Sequence, residues 1–141
     1  ARGNWPEFWS EQRLLAWPQD LPADIARRLE WLSARLPDLL PPAPPASLLH
    51  GDLWRGNVHF SGGQAWLMDP ACYYGHGEVD LAILNLFGAP PPEFQSAYGQ
   101  LGEGAKKRHP IYQLWPALVH LRLFGAGYRG LVEGLLDRCG V

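Results

Sequence analysis

Four side chains in one stretch of the sequence have the types and spacing that phosphoryl transfer requires. His50, Asp52 and Asn57 fit the pattern H-x-D-x-x-x-x-N, and Asp69 follows further along the chain. In a kinase catalytic loop, the first aspartate accepts the proton of the attacking hydroxyl, while the asparagine and the later aspartate hold magnesium on the nucleotide phosphates. Oxygen ligands suit both tasks, because a hydroxyl needs one oriented acceptor and magnesium prefers carboxylate and amide oxygens.

The pattern alone is weak, because aspartate and asparagine in a glycine-containing loop are also ordinary turn formers. The residues that follow strengthen it. Val58–Phe60 and Ala65–Met68 have the composition of strands, and the intervening Ser-Gly-Gly-Gln is a good turn. Such a hairpin would return Asp69 to the end of the loop. The stretch therefore predicts Asp52 as the base, with Asn57 and Asp69 as ligands of Mg²⁺ that carries ATP.

Three neighbours in the loop have roles that the sequence leaves open. Trp54 lies between Asp52 and Asn57, where it can either stack on the flat face of a sugar substrate or pack beneath the loop. Arg55 either contacts a phosphate or anionic substrate or points into solvent. His50 is predicted to brace the loop by hydrogen bonds, because Asp52 already supplies the base.

The nucleotide-binding half of a kinase site is not recognisable in this sequence. The two lysines, Lys106 and Lys107, both follow the catalytic loop, whereas the phosphate-binding lysine of kinases precedes it. No glycine-rich phosphate loop precedes Leu48 either. The sequence therefore contains the predicted base and metal ligands without a phosphate clamp.

Composition predicts one globular domain over residues 1–141, with 47% hydrophobic and 18% charged residues. A net charge of −2 argues against a nucleic-acid partner, and the basic run Lys106–His109 is interpreted as a solvated helix start. No apolar run approaches the roughly 20 residues of a membrane span. Cys72, expected to be buried, and Cys139 are predicted to be reduced thiols, which favours a cytoplasmic location.

Around the catalytic stretch the sequence predicts mostly helices. The clearest has Ile25, Leu29, Leu32 and Leu36 along one face and ends at Pro37, where a proline-rich connector over residues 37–47 begins. The other predicted helices are Trp5–Leu15 capped by Asn4, Asp80–Phe87 capped by Asp80, Glu93–Leu101, Ile111–Phe124 with a kink at Pro116, and Tyr128–Cys139 ended by Gly140.

Three segments, HGDLWRGNVHF, LMDPACYYGHGEVDLAI and LFGAGYRG, resemble the fructosamine kinase family, within the aminoglycoside and choline phosphotransferase group of kinase-like folds. The resemblance runs from about Asn4 to Cys139 and covers the C-terminal lobe, so the N-terminal lobe is expected to be absent. It implies phosphorylation of a sugar hydroxyl on a free or protein-bound ketosamine by ATP, giving a 3-phosphate that sheds its amine. It also favours an acceptor contact for Trp54 and a bond from Asp80 to the catalytic-loop backbone.

The sequence departs from the family pattern at several positions. Arg55 stands where glycine or serine is usual, and His76-Gly77 replaces an acidic residue and an arginine that could pair with a charge. Pro116 has no counterpart in the pattern. These differences bear on the acceptor and on packing, and leave Asp52, Asn57 and Asp69 in place.

The predicted fold is α+β and mostly α-helical, the C-terminal lobe of a protein-kinase-like fold with a small β hairpin at the catalytic cleft. The predicted function is that of a ketosamine kinase, inactive without an N-terminal lobe or partner chain. Two alternatives stay open at this point. One is a kinase of the same fold that acts on aminoglycosides, choline or homoserine, and the other is a catalytically silent interaction module.

Overall fold

A computed structural model describes residues 3–141. Two compact units are present in it. The helical unit contains the described residues up to Pro44 together with Pro110–Val141, and the loop unit is Pro45–His109. The boundary at Pro44 and Pro45 falls within the predicted proline-rich connector. The assignment of residues 1–141 to one domain stays a prediction.

Six α-helices and four short strands form the described chain. In chain order they are α1 (Trp5–Trp9), α2 (Ala23–Leu39), β1 (Ala46–Leu49), β2 (Val58–Ser61), β3 (Gln64–Leu67), β4 (Tyr73–His76), α3 (Glu78–Leu84), α4 (Pro92–Tyr98), α5 (Ala105–Phe124) and α6 (Arg129–Arg138). The predicted class, α+β with a majority of helix and a small hairpin, is confirmed.

The first helix begins as its cap predicts. The Asn4 side chain accepts a hydrogen bond from the Glu7 backbone N–H at 3.0 Å. The predicted span Trp5–Leu15 is not one α-helix, however, because the winding changes to a π-helical turn over Ser10–Leu14.

The apolar stripe of α2 is confirmed, since Ile25, Leu29, Leu32 and Leu36 are all fully buried. The predicted end at Pro37 is wrong. Proline removes one backbone donor, but the next turn still closes because the Leu40 N–H donates to the Leu36 carbonyl at 2.9 Å. The first residues of the predicted connector are therefore helical.

The loop unit contains two antiparallel strand pairs. β1 pairs with β4, from Ala46 opposite His76 to Leu49 opposite Tyr73. β2 and β3 form the predicted hairpin, with Val58 opposite Leu67, and both glycines of its turn have the positive φ that favours glycine. The hairpin thus connects the catalytic loop to the segment that carries Asp69.

Several predicted helix boundaries are wrong. α3 begins at Glu78 rather than at Asp80, whose carboxylate is used elsewhere, and it ends at Leu84. α5 begins six residues before Ile111 and continues through Pro116. The predicted stop at Gly140 is confirmed by its φ of +75°. The other changes are at α4, which spans Pro92–Tyr98, and at α6, which spans Arg129–Arg138.

The two cysteines lie in different surroundings, and both are free thiols. Cys72 is exposed, so its predicted burial is wrong. It lies on the irregular segment between β3 and β4, and every residue from Ser61 to Cys72 is exposed. Within residues 3–141, none of the helices combines the length and the apolar character needed to cross a bilayer.

Candidate active site

The candidate catalytic loop, residues 50–57, connects β1 to β2 in the loop unit. Two backbone bonds fold it tightly: Trp54 N–H donates to the Asp52 carbonyl at 3.1 Å, and Asn57 N–H donates to the Trp54 carbonyl at 2.9 Å. The second bond closes a single 3₁₀ turn over Arg55–Asn57. The loop is therefore compact, and its two functional ends are brought close together.

Asp52 and Asn57, which come from the same short loop, are in direct contact. The Asn57 amide nitrogen donates to the Asp52 carbonyl at 2.8 Å and to Asp52 Oδ2 at 3.2 Å. Asn57 is buried, with 7% of its surface exposed, and Asp52 is half-buried, so the contact is partly shielded from competing water. Because the amide nitrogen faces Asp52, the Asn57 carbonyl oxygen Oδ1 is the atom that can serve a cation.

Asp80 holds the start of this loop through its backbone. Its Oδ2 accepts from the His50 N–H at 2.7 Å, and its Oδ1 accepts from the Gly51 N–H at 2.9 Å. This confirms the bond to the catalytic-loop backbone expected from the family resemblance. It also explains why Asp80 does not cap α3, since both carboxylate oxygens serve the loop.

His50 braces the loop, as predicted. Its Nε2 lies 2.8 Å from the Met68 carbonyl, so Nε2 carries the proton and donates. Its Nδ1 then accepts from the Asp52 backbone N–H at 3.3 Å. The imidazole thus connects the proposed base to the segment just before Asp69.

Two further backbone bonds fasten that segment to the loop. Met68 N–H donates to the Asn57 carbonyl at 2.9 Å, and Ala71 N–H donates to the His50 carbonyl at 2.8 Å. The approach requires glycine at position 51, where φ is +84° and a Cβ would lie 2.2 Å from the Ala71 carbonyl oxygen. Asp69 is therefore held between two anchors on the loop.

Asp69 itself has an unusual backbone conformation. Among residues 3–141 it is the one residue other than glycine with a positive φ, at +50°. Aspartate tolerates this left-handed region better than most residues, at a cost of about 1–2 kcal/mol. The side chain is exposed. The two anchors at Met68 and Ala71 can sustain such strain because they fix the chain on both sides.

The donors available to magnesium are few but chemically suitable. Asn57 offers an amide oxygen and Asp69 a carboxylate. Within the described chain, no group of three or more histidine, cysteine, aspartate or glutamate side chains could hold a metal ion. Magnesium commonly uses only one or two protein carboxylates and completes its shell with water and substrate phosphates. The pair therefore fits an ion that binds together with a nucleotide, and the ligand assignment stays a prediction.

Trp54 is partly packed and partly exposed, so both sequence interpretations keep support. Its indole lies over Gly56, where a Cβ would come within 2.1 Å of the ring. Its edge meets Phe87, with ring centroids 6.2 Å apart at 74°. The exposed fractions are 40% for Trp54 and 42% for Phe87. Sequence analysis missed Phe87, which nothing in its neighbourhood marks as functional. Arg55 is exposed.

A charged cluster near the loop was also missed. Arg108 Nε and Nη2 donate to the two carboxylate oxygens of Glu78, each at 2.7 Å, so the predicted solvated role of the basic run is wrong for Arg108. His76 Nε2 lies 3.8 Å from Glu78. Burial lowers the pKa of His76, the Glu78 carboxylate opposes that shift, and Arg108 adds to it. The signal available in the sequence was an arginine closely following two glycines, Gly102 and Gly104.

Comparisons with known proteins point to one family. The family model described as fructosamine kinase matches residues 1–140. The chain is 41% identical over 139 residues to the mouse protein named ketosamine-3-kinase, covering 90% of this chain and 44% of that protein. It is 36% identical over 145 residues to the Escherichia coli K12 protein named "Probable ketoamine kinase YniA", covering 96% and 49%.

A solved structure extends the likeness to the backbone. The crystal structure of a Thermobifida fusca protein described as "putative fructosamine-3-kinase" superposes with a TM-score of 0.86 at 36% identity. The match covers 99% of this chain and 52% of the other. The predicted kinase-like fold is confirmed. The chain spans about half the length of the relatives it matches.

Proposed function

This chain belongs to the fructosamine kinase family, and from that premise we propose that it carries the catalytic loop of a kinase that phosphorylates a sugar hydroxyl of ketosamines. ATP is the co-substrate that membership of a kinase family implies. The observation that carries the proposal is the contact of Asn57 with Asp52 in a loop that Asp80 holds by two backbone bonds. Phosphoryl transfer depends mainly on such positioning.

Three side chains of the candidate site have separate tasks in this reaction. Asp52 accepts the proton of the substrate hydroxyl as that oxygen bonds to the γ-phosphorus of ATP and the bond to the leaving ADP breaks. Asn57 orients the Asp52 carboxylate through its amide nitrogen. Asn57 Oδ1 and the Asp69 carboxylate would hold Mg²⁺, which when bound neutralises charge on the transferred phosphoryl group.

Trp54 is our candidate for the acceptor contact. Its ring is half open to solvent and is supported from below by Gly56 and at its edge by Phe87. A flat aromatic face suits the C–H face of a sugar, whether the ketosamine is a small molecule or part of a protein. The exposed Arg55 beside it would favour ketosamines that carry a carboxylate or phosphate.

The nucleotide clamp is proposed to come from outside these 141 residues. The chain spans about half the length of its relatives and lacks a lysine ahead of the loop. An N-terminal lobe or a partner chain would supply that clamp, and the 141 residues alone would then show no appreciable kinase activity. A cytoplasmic location would provide both ATP and reduced thiols.

The proposal is tested first on this chain by calorimetric titration with Mg-ATP. We expect weak binding that the Asp69→Asn variant loses, because asparagine tolerates the left-handed backbone but lacks the carboxylate charge. His59→Gln, an exposed change on β2, is the matched control and should bind like the unaltered chain. Equal binding by the Asp69→Asn variant would remove Asp69 from the site.

The activity is tested with the complete protein that carries this chain. A panel of ketosamines, aminoglycosides, choline and homoserine is incubated with ATP, and sugar phosphate is followed by phosphorus NMR. We expect a ketosamine 3-phosphate, and a loss of about 10²–10⁴ in kcat for Asp52→Asn. Turnover of an aminoglycoside without turnover of any ketosamine would contradict the proposed substrate class.

One observation favours a second candidate function, an interaction module. Four apolar side chains of the β2–β3 hairpin and its end are largely exposed: Phe60 at 76%, Leu67 at 58%, Trp66 at 55% and Met68 at 44%. Surfaces of this kind often bind partners. Light scattering that shows a monomer, with no binding of a hydrophobic dye, would contradict this candidate.

A further inference from the structure

The geometry points to a positioning role for the Arg108–Glu78 ion pair. We propose that this pair fixes the first turn of α3, so that Asp80 holds the catalytic loop with Asp52 in register. Arg108 and Glu78 are then positioning residues, which act through Asp80 and do not touch substrate. The inference rests on the proposed function only for the meaning of Asp52, because the mechanical coupling can be measured without activity.

The pair has the strongest geometry among the ion pairs of the loop unit. Arg108 presents its planar fork to both carboxylate oxygens of Glu78, with two contacts of 2.7 Å. The side chains are 16% and 9% exposed, respectively. Two parallel charge-assisted hydrogen bonds define direction as well as distance, which a single contact does not.

The chain that begins α5 is shaped around this pair. Arg108 Nη2 also donates to the Glu103 carbonyl at 2.7 Å. A Cβ at Gly102 would lie 3.2 Å from Glu78 Oε1, and a Cβ at Gly104, where φ is +75°, would lie 2.9 Å from Arg108 Nη1. Both glycines therefore leave room for the fork to reach the carboxylate.

Glu78 and Asp80 occupy the same helical turn, so the orientation of one constrains the other. α3 has no side-chain cap, since Gly77 precedes it. Its buried apolar residues, such as the fully buried Val79, set how deeply the helix packs. Apolar contacts are not directional, whereas the two hydrogen bonds from the Arg108 guanidinium to Glu78 fix the rotation of the first turn of α3. That rotation determines where the Asp80 oxygens meet the His50 and Gly51 N–H groups.

Arg108→Lys is the variant that separates position from charge. Lysine keeps the positive charge beside the buried Glu78 carboxylate but cannot form two parallel bonds. Gly102→Ala is the second variant, because it keeps both partners and pushes directly against Glu78 Oε1. The control is Arg129→Lys, since Arg129 also pairs with carboxylates, those of Asp24 and Glu133, but lies in the helical unit.

The test is amide hydrogen exchange followed by NMR at individual residues of this chain. In Arg108→Lys we expect exchange at His50 and Gly51 to accelerate at least about tenfold, while Leu32 in the core of α2 is unchanged. Gly102→Ala should accelerate the same two amides to a smaller extent, and the Arg129→Lys control should leave them unchanged.

Two results would overturn the proposal. One is unchanged exchange at His50 and Gly51 in a folded Arg108→Lys variant, which would uncouple the pair from the loop. The other is an equal acceleration at Leu32, which would make the pair a general stabiliser. In the active complete protein, Arg108→Lys should lower kcat with the KM for ATP unchanged. An inactive unaltered protein would contradict the proposed function and leave the exchange result standing.

Discussion

The helical unit and the loop unit differ in how fully they bury aromatic rings, although the helical unit also exposes Trp31 and Phe124. In the helical unit, Trp9 and Tyr112 are fully buried and pack edge to face with ring centroids 4.8 Å apart. In the loop unit, Phe60, Trp66 and Tyr74 are all more than half exposed. Aromatic burial is a large source of stability. The helical unit therefore gains stability from buried aromatic packing, whereas the buried apolar residues of the loop unit are aliphatic and its aromatic rings stay at least partly open to solvent.

Two arginines, one in each unit, use the guanidinium group in different ways. In the helical unit Arg13 lies between Phe8 and Trp115, with its guanidinium 4.8 Å and 4.7 Å from the two ring centroids. In the loop unit Arg108 serves a carboxylate with its planar fork. The first arrangement exploits the broad faces of the guanidinium and the second its directional donors. Arg13 thus adds cohesion among aromatic rings, whereas Arg108 fixes the direction of a carboxylate.

The largest difference between the units should appear when one tryptophan is removed from each. Trp9→Ala removes a fully buried ring whose indole N–H also donates to the Ile111 carbonyl, so we expect a loss of about 3–5 kcal/mol in the free energy of unfolding. Trp66→Ala removes a ring that is 55% exposed, so the free energy of unfolding should change by less than about 1 kcal/mol. Urea denaturation measures both, and similar losses would refute the contrast in burial.

The second-largest effect should be a difference in alkylation rate between the two thiols. Burial raises the pKa of Cys139 to about 11, so about one thousandth of it is thiolate at pH 8. Cys72 is exposed. We expect iodoacetamide to alkylate Cys139 at least about 100-fold more slowly than Cys72, as peptide mass spectrometry would resolve. The Cys72→Ser variant is the control that isolates the rate at Cys139, and equal rates would contradict its burial.

A smaller effect is expected from the stacked arginine. Arg13→Met keeps an apolar stem of similar length but removes the cation between Phe8 and Trp115, so we expect a loss of about 1 kcal/mol in unfolding free energy. The matched change in the loop unit is Arg55→Met, at an exposed arginine, which should be close to neutral. Denaturant midpoints compared at constant m-value decide between them.

The smallest effect concerns pH. Since burial lowers the pKa of His76 in the folded chain, the unfolded chain binds more protons as pH falls below the ordinary histidine value of about 6.5. Stability should therefore decrease as pH falls through that value and level off below the folded pKa. His76→Gln should flatten this slope, and the exposed His59→Gln should not. An unchanged slope in His76→Gln would show that His76 does not contribute to it.

Local signals predicted much of the fold. The buried face of α2 follows directly from the spacing of Ile25, Leu29, Leu32 and Leu36, because a helical period is visible in the sequence. The end of that helix was mispredicted, since whether Pro37 stops a helix depends on tertiary packing around the next turn. The same applies to the start of α5, where no single residue signals that helix continues through Pro110.

The candidate site was predictable where its geometry is local in sequence. Asp52 and Asn57 lie in one short loop, so their spacing places them in the same site, and the structure adds their direct contact. The residues on either side of Asp69, Met68 and Ala71, are held by hydrogen bonds to residues more than ten positions away in the sequence. Arg108 contacts Glu78 across a separation of 30 residues. Such contacts depend on how the strands and helices pack, which composition and periodicity do not encode.

The backbone at Asp69 has a consequence for which residues that position can accept. Its φ of +50° restricts the residue types that the backbone tolerates there to glycine, asparagine and aspartate, whatever the chemistry of the side chain. Of those three, aspartate alone has a carboxylate. A randomised library screened only for folding should therefore enrich all three, with glycine prominent, whereas a library screened for turnover should return aspartate alone. The difference between the residue types recovered in the two screens would separate the requirement of the backbone at this position from the requirement of catalysis.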